Sequence, residues 1–348
     1  MTILDADQQD AVMPEVVAEI SANHNGSLDR ALAIVSAVAE AGASAVKLQT
    51  YTADTITLDH NGPGFQIPQT QGLWGGRRLY DLYTEAHTPW EWHRAIFERA
   101  RQLGLDVFST PFDETAVDFL EELEVSRYKI ASLEIVDIPL IEKVASTGKP
   151  IILSTGASTY DDVSQAVNAI RAIGDNPITL LVCSSSYPSD AGDSNLLSMA
   201  TIRERFKTEV GFSDHTPGIG PAIAAAVLGA NLIEKHVTLD SDSGGPDDAF
   251  SVGPEVLKAL VRGITDALAS LGSRELFVAD SEVISLNLRP SLWITRDVDA
   301  GELVSESNVS TLRPSGGLPP SKFREVLGKK FSESFPRGTP LTLEKLRK

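Results

Sequence analysis

The sequence predicts an α/β protein: a (β/α)8 TIM barrel over residues 1–272, a linker over 273–289 and a small domain over 290–348. Three observations predict it. A short apolar, β-branched run ending in polar residues recurs eight times between residues 16 and 272, and such runs read as strands buried on both faces. Segments with helical spacing separate the runs, and many end at a glycine. No G-x-G-x-x-G turn follows the first run, which weakens the open doubly wound sheet as the alternative.

In chain order the expected strands are VVAEI (16–20), AVKLQT (45–50), DVFST (106–110), YKIAS (128–132), PIILST (150–155), ITLLVC (178–183), EVGFSD (209–214) and NLIEKHV (231–237). Between the first two, Leu28, Ala31, Leu32, Val35, Val38 and Ala39 fall on one helical stripe. Gly42, Gly104, Gly148, Gly174, Gly229 and Gly272 stand where a left-handed helix cap is expected. Eight strands alternating with helices over this length define the barrel.

Two segments break the pattern. Residues 52–90 form a long insertion rich in glycine and aromatics, and the aromatics predict an ordered lid. After Gly272 the periodicity stops. Residues 273–289 read as a linker with little periodicity, and residues 290–348 as a compact tail of short strands and turns. A tail of that size is marginal alone and is expected to dock on something.

The net charge of −18 argues against nucleic acid or an anionic membrane as the partner. It does not argue against an anionic small molecule, because a few lysines inside a cleft outweigh distant surface carboxylates. A single cysteine, Cys183, excludes an intrachain disulfide and points to a reducing cytoplasm. The N-terminus lacks the pattern of a secretory signal, and no run of about 18 apolar residues offers a membrane span.

In a barrel the chemistry sits at the C-terminal ends of the strands. Those ends carry Glu19, Asn23 and His24; Lys47 and Gln49; Ser109 and Thr110; Lys129, Ser132 and Glu134; Ser154; Ser184–Ser186 and Tyr187; Ser213 and His215; Glu234 and His236. Ser213, Asp214 and His215 are adjacent but are not a hydrolytic triad. Asp214 must point away from its two neighbours, whereas a triad converges from separate segments. Ser213 and His215 both point inward, and His236 lies at the same depth on the next strand. The two imidazoles form either a first shell for a divalent metal or two hydrogen-bonded residues of the barrel mouth.

Lys47 and Lys129 stand at the ends of buried strands, where an unpaired ammonium costs several kcal/mol. Each needs an anion. That anion is either a structural carboxylate, Glu19 or Glu134, or a phosphate or carboxylate ligand. Thr110, Ser132, Ser154 and Ser213 supply the donors a phosphate wants. The residues thus describe a barrel enzyme with a metal and a site for a small anionic substrate.

The stretches AEISANHNGSL, AVKLQTY, FSTPFDETAVDFLE, YKIASLEI, KPIILSTG, GFSDHTPG, IEKHVTLD and GGPDDAFS closely resemble the sialic acid synthase family, in order and at family spacing. The tail DVDAGELVSESNVSTLRPSGGL resembles the family's antifreeze-like (SAF) domain. The resemblance implies condensation of phosphoenolpyruvate with an N-acylated amino sugar to a nonulosonic acid and phosphate. It implies a divalent metal, Mn²⁺ ahead of Mg²⁺ or Co²⁺, on His215 and His236. It assigns phosphoenolpyruvate to Lys47, Thr110, Lys129, Ser132, Ser154 and Ser213, and the sugar to Glu19, Gln49, Tyr187, Asp247 and Arg313. Glu134, Glu19 and Lys129 are the implied catalytic groups. In the neuraminate branch an Asn stands two residues before Tyr187, where this chain has Ser185. The insertion and GGPDDAFS look most like the branch whose sugar is 2,4-diacetamido-2,4,6-trideoxy-β-L-altropyranose. The legionaminate and neuraminate branches are the near alternatives, and a carbohydrate-binding protein with a degenerate site is the remote one. The resemblance further implies a domain-swapped homodimer in which Arg313 reaches the partner's sugar.

Overall fold

The computed structural model describes residues 12–70, 72–273 and 275–347. Eight parallel strands close into a barrel in chain order: β1 (Glu15–Glu19), β2 (Ala45–Thr50), β3 (Asp106–Pro111), β4 (Tyr128–Ile130), β5 (Ile151–Ser154), β6 (Ile178–Cys183), β7 (Glu209–Asp214) and β8 (Leu232–His236). The ring closes where β1 pairs with β8, Glu19 standing opposite His236. The eight expected strands are all present; β2, β6 and β7 have the expected bounds and the other five have ends shifted by one or two residues.

Each strand buries both faces, which is why the runs read as continuously apolar. The outward side chains pack under the surrounding helices. Helix Leu28–Ala41 contributes Ala31, Ile34, Val35, Val38 and Ala41 to that layer, while Leu28, Leu32 and Ala39 lie at its edge. The stripe is therefore rotated toward Ile34 from the one expected. Inside the barrel, Val17, Ala45, Phe108, Ile152, Leu181 and Leu232 fill one apolar layer. β7 contributes Gly211 at this depth, where a Cβ would strike the Leu232 carbonyl and the Leu181 side chain.

Two residues further along seven of the eight strands the inward apolar or glycine position gives way to a polar residue or cysteine, while β4 already places Lys129 opposite Ile152. Val17 gives way to Glu19, Ala45 to Lys47, Phe108 to Thr110, Ile152 to Ser154, Leu181 to Cys183, Gly211 to Ser213 and Leu232 to Glu234. The apolar floor and the polar mouth thus follow from the period of two along each strand.

Of the six glycines expected in left-handed caps, five have positive φ and Gly174 does not. Its φ of −172° is extended, because the chain leaves helix Tyr160–Ile173 directly toward β6. The described part of the insertion after β2 holds two short helices, Ala53–Ile56 and Leu79–Ala86.

The chain separates into two compact units between Leu271 and Gly272. The segment read as an irregular linker contains short helical turns at Asp280–Glu282 and Val283–Leu286. The C-terminal unit pairs β9 (Ser291–Ile294) with β10 (Val309–Leu312) antiparallel. Its own core comprises Leu292, Ile294, Val298, Val304, Val309, Val326, Phe331, Phe335, Leu341 and Leu346. No described helix is long and apolar enough to cross a membrane.

Candidate active site

The polar mouth of the barrel is organised by ion pairs that cross its interior. Lys47 on β2 pairs with Glu19 on β1 and lies 3.7 Å from Glu234 on β8. Lys129 on β4 donates to both oxygens of Glu234, at 3.0 and 2.9 Å. Ser213 Oγ donates to Glu234 Oε1 at 2.9 Å, and Lys47 Nζ donates to Thr110 Oγ1 at 3.2 Å. All of these side chains are buried. Lys47 therefore has a carboxylate expected of it, Glu19, while Lys129 has Glu234 rather than Glu134. Glu134 lies close in sequence but sits on the turn that follows β4, Leu133–Val136. It makes no hydrogen bond or ion pair to the network among the described residues.

The electrostatics separate the two carboxylates. Burial works to raise Glu234, but the Lys129 and Lys47 ammonium groups outweigh it and hold the carboxyl well below the usual range. Burial would lower Lys47, and the Glu19 and Glu234 carboxylates outweigh that and raise it. For Glu134 burial dominates, with Asp137 adding to it, and pushes the carboxyl up to about 7.

His215 and His236 lie side by side, edge to face, with ring centroids 5.3 Å apart. His215 Nδ1 lies 2.7 Å from the Ser184 carbonyl. A carbonyl only accepts, so Nδ1 carries the proton and Nε2 keeps a free lone pair. Nε2 lies 3.4 Å from Ser213 Oγ. His236 Nδ1 is buried without a hydrogen-bond partner among the described residues. Burial pushes His215 down to about 4 and His236 well below its ordinary value, so both rings are neutral at pH 7. Two neutral imidazoles, one oriented by a backbone carbonyl and one with an orphaned ring nitrogen, fit a divalent cation with open positions. Among the described residues no third His, Cys, Asp or Glu completes a protein-only metal cage around them.

Asp214 lies on the other face of β7, as its place between Ser213 and His215 requires. It pairs with Lys235 at 2.8 Å, and both side chains are fully buried. Lys235 Nζ also donates to the carbonyls of Thr216 (2.5 Å) and Gly218 (2.8 Å). Asp214 Oδ1 accepts from Thr216 N at 2.9 Å and Thr216 Oγ1 at 2.7 Å. The triad-like letters thus divide into an inner pair for the site and an outer clamp.

Asp247 is buried after β8 and accepts from Ser21 Oγ and from Ala22 N. Burial lifts its carboxyl. The Tyr187 ring lies 4.4 Å from the His215 ring and 5.1 Å from Phe250. Ser132 Oγ lies 3.3 Å from Cys183 Sγ. Ser154 is buried and Gln49 half-buried, and neither side chain has a hydrogen-bond partner among the described residues. Arg313 is exposed in the C-terminal unit, between β10 and the turn at Gly316. Asn23 and Ser109 are structural. Asn23 Nδ2 ties the end of β1 to the Val237 carbonyl and Ser251, and Ser109 bonds Thr50. Sequence reasoning named Glu234 only as a strand-end candidate, read Trp74 only as part of an aromatic lid suited to the sugar's methyl groups, and gave no role to Lys235 or Phe250. The signal for Glu234 was its inward place on β8, two residues before His236.

A closed (β/α)8 barrel with ion pairs, hydroxyls and two adjacent imidazoles at the C-terminal strand ends is an enzyme built for a small polar substrate. The chain belongs to the NeuB family, whose model matches residues 34–276, and a SAF domain matches residues 289–347. Pseudaminic acid synthase of Helicobacter pylori is 43% identical over 96% of this chain and 98% of its own length. N,N'-diacetyllegionaminic acid synthase of Legionella pneumophila is 36% identical over 94% of this chain and 93% of its own. Among solved structures, the N-acetylneuraminic acid synthetase of Leptospira borgpetersenii matches with a TM-score of 0.68 at 30% identity, covering 79% of this chain and 91% of that one.

Proposed function

We propose that the protein condenses phosphoenolpyruvate with 2,4-diacetamido-2,4,6-trideoxy-β-L-altropyranose to give pseudaminic acid and phosphate. The observation that carries this reading is the 43% identity to a pseudaminic acid synthase along nearly the whole of both chains, against 36% to a legionaminic acid synthase. The site supports it, since the charged and hydroxyl groups such a reaction needs converge at the barrel mouth.

Lys47 and Lys129, with Thr110, Ser132, Ser154 and Ser213, hold the phosphate and carboxylate of phosphoenolpyruvate. Glu19, Gln49, Tyr187 and Asp247 hold the sugar. His215 and His236 would hold a divalent cation, Mn²⁺ ahead of Mg²⁺ or Co²⁺, which when bound supplies Lewis acidity toward the sugar's aldehyde oxygen. The charge balance supports a cation. Glu19 and Glu234 already match the two lysines, so a polyanionic substrate brings unmatched negative charge. Carbon 3 of phosphoenolpyruvate attacks the aldehyde carbon, whose oxygen takes up a proton. Positive charge develops at carbon 2, beside Glu134, whose carboxyl near pH 7 is poised between its two forms. Water adds at carbon 2 and gives up a proton; the bond from carbon 2 to the phosphate oxygen then breaks as the new hydroxyl yields its remaining proton to the leaving phosphate and becomes the keto group.

The C-terminal unit acts in a domain-swapped homodimer, with Arg313 directed to the partner's sugar. The single cysteine fits a reducing compartment, and the cytoplasm is the proposed location. Phosphate release measured with phosphoenolpyruvate, Mn²⁺ and a panel of N-acylated sugars tests the reading. The altro-configured 6-deoxy sugar is expected to give the highest kcat/KM, and chelation of the metal is expected to abolish turnover. A higher kcat/KM for the legionaminate or neuraminate precursor overturns the sugar assignment.

A further inference from the structure

The insertion between β2 and helix Trp90–Gln102 is built around one side chain. Gly72 and Gly76 adopt left-handed backbone on either side of Trp74, with φ of +61° and +83°. Gly75 has no room for a Cβ, which would fall against the Gln69 and Pro68 carbonyls. The base of the loop is closed by a bridge between Gln66 and Arg78, and Arg78 pairs with Asp59 at 2.9 Å and Asp81 at 2.5 Å. From this frame Trp74 Nε1 donates to the Pro246 carbonyl at 2.9 Å, on the far side of the barrel mouth in sequence. The indole meets Tyr187 at a centroid distance of 5.7 Å and Phe250 at 6.1 Å. Tyr187 in turn touches His215, and Phe250 lies 5.0 Å from His236. Three rings thus form a continuous wall that begins at the imidazoles and ends at Trp74.

We propose that Trp74 determines which sugar the enzyme accepts, by presenting an apolar face to the end of the sugar remote from its aldehyde. This rests on the functional reading above, which places the aldehyde at the imidazoles. The 6-methyl group of a 6-deoxy sugar then packs on the wall at no cost in hydrogen bonds. A 6-hydroxymethyl group would lose its water against the indole and find no partner in it, because the indole N–H is already committed to Pro246. An apolar wall rejects an added hydroxyl by about a hundredfold at most.

The test measures kcat/KM and, by calorimetry, Kd for the 6-deoxy sugar and its 6-hydroxy counterpart, with full-length wild type, Trp74→Ala, Trp74→Phe and Trp74→Gln. Wild type is expected to favour the 6-deoxy sugar by about a hundredfold, and Trp74→Ala by less than about tenfold. The loss is expected in the KM for the 6-deoxy sugar, with the KM for phosphoenolpyruvate unchanged. Trp74→Phe, which keeps an apolar ring, is expected to retain most of the preference. Trp74→Gln keeps an N–H for Pro246 without the ring and decides the matter if the Ala variant fails to fold; it is expected to lose the preference. An unchanged ratio in the Ala or Gln variant overturns the wall and leaves the function standing. A wild type that prefers the 6-hydroxy sugar, or binds neither, overturns both. If wild type binds the sugars but turns over neither, the functional reading fails and the ratio of Kd values still decides the wall.

Discussion

Glu134 and Glu234 are the same residue type at two strand ends, and their surroundings drive them apart. Glu234 sits between two ammonium groups and stays ionised, while burial without a cation leaves Glu134 near pH 7. If the carboxylate of Glu134 steadies positive charge at the reacting carbon, kcat should rise as pH rises through about 7, and Glu134→Gln should abolish that limb. A kcat profile with the limb intact in the Gln variant assigns the titration to another group. The stability effect has the opposite sign. The folded value lies above the ordinary 4.5, so this group's stabilisation is full below that pH and is lost as pH rises through about 7.

At the scale of the elements, β7 and β8 do two tasks with alternate residues. Ser213, His215, Glu234 and His236 face the site, and Asp214 and Lys235 lock the strands and the following turn from behind. Lys235→Met leaves a buried carboxylate without its cation, which costs about 3–5 kcal/mol. Urea unfolding should show that loss, and Mn²⁺ binding measured by calorimetry should weaken as the spacing of the imidazoles relaxes. Replacing Asp214 as well by a residue of similar volume should recover much of the stability, since removing both charges removes the desolvation cost too. Unchanged metal affinity in Lys235→Met would limit the clamp to folding.

At the scale of the whole molecule, two units each have their own apolar core. The proposed dimer makes a prediction that needs both. A His215→Ala chain lacks one imidazole, and an Arg313→Ala chain lacks the guanidinium of the C-terminal unit. After subunit exchange, a swapped heterodimer has one site with both lesions and one with neither. Phosphate release should return to about half the wild-type rate per dimer, because one of two independent sites is whole. Purified heterodimers that recover nothing would rule out the exchange of domains.

The barrel was legible in the sequence because a parallel strand buried on both faces must be written in consecutive apolar residues. The mouth was legible for the same geometric reason, since a period of two carries most strands from an apolar layer to a polar one. That alternation put His215 beside His236 and took Asp214 out of the site before any contact was seen. The particular partners were not legible. Lys129 stands five residues from Glu134 and 105 from Glu234, and only closure of the sheet brings β8 across the interior to β4. Trp74 likewise meets Pro246 and Phe250 only because the barrel gathers its loops at one end. Local periodicity is a property of neighbours along the chain, so it determines which face a residue takes. What that residue touches across the barrel depends on how eight strands are staggered as they close, and that is decided only in the tertiary structure.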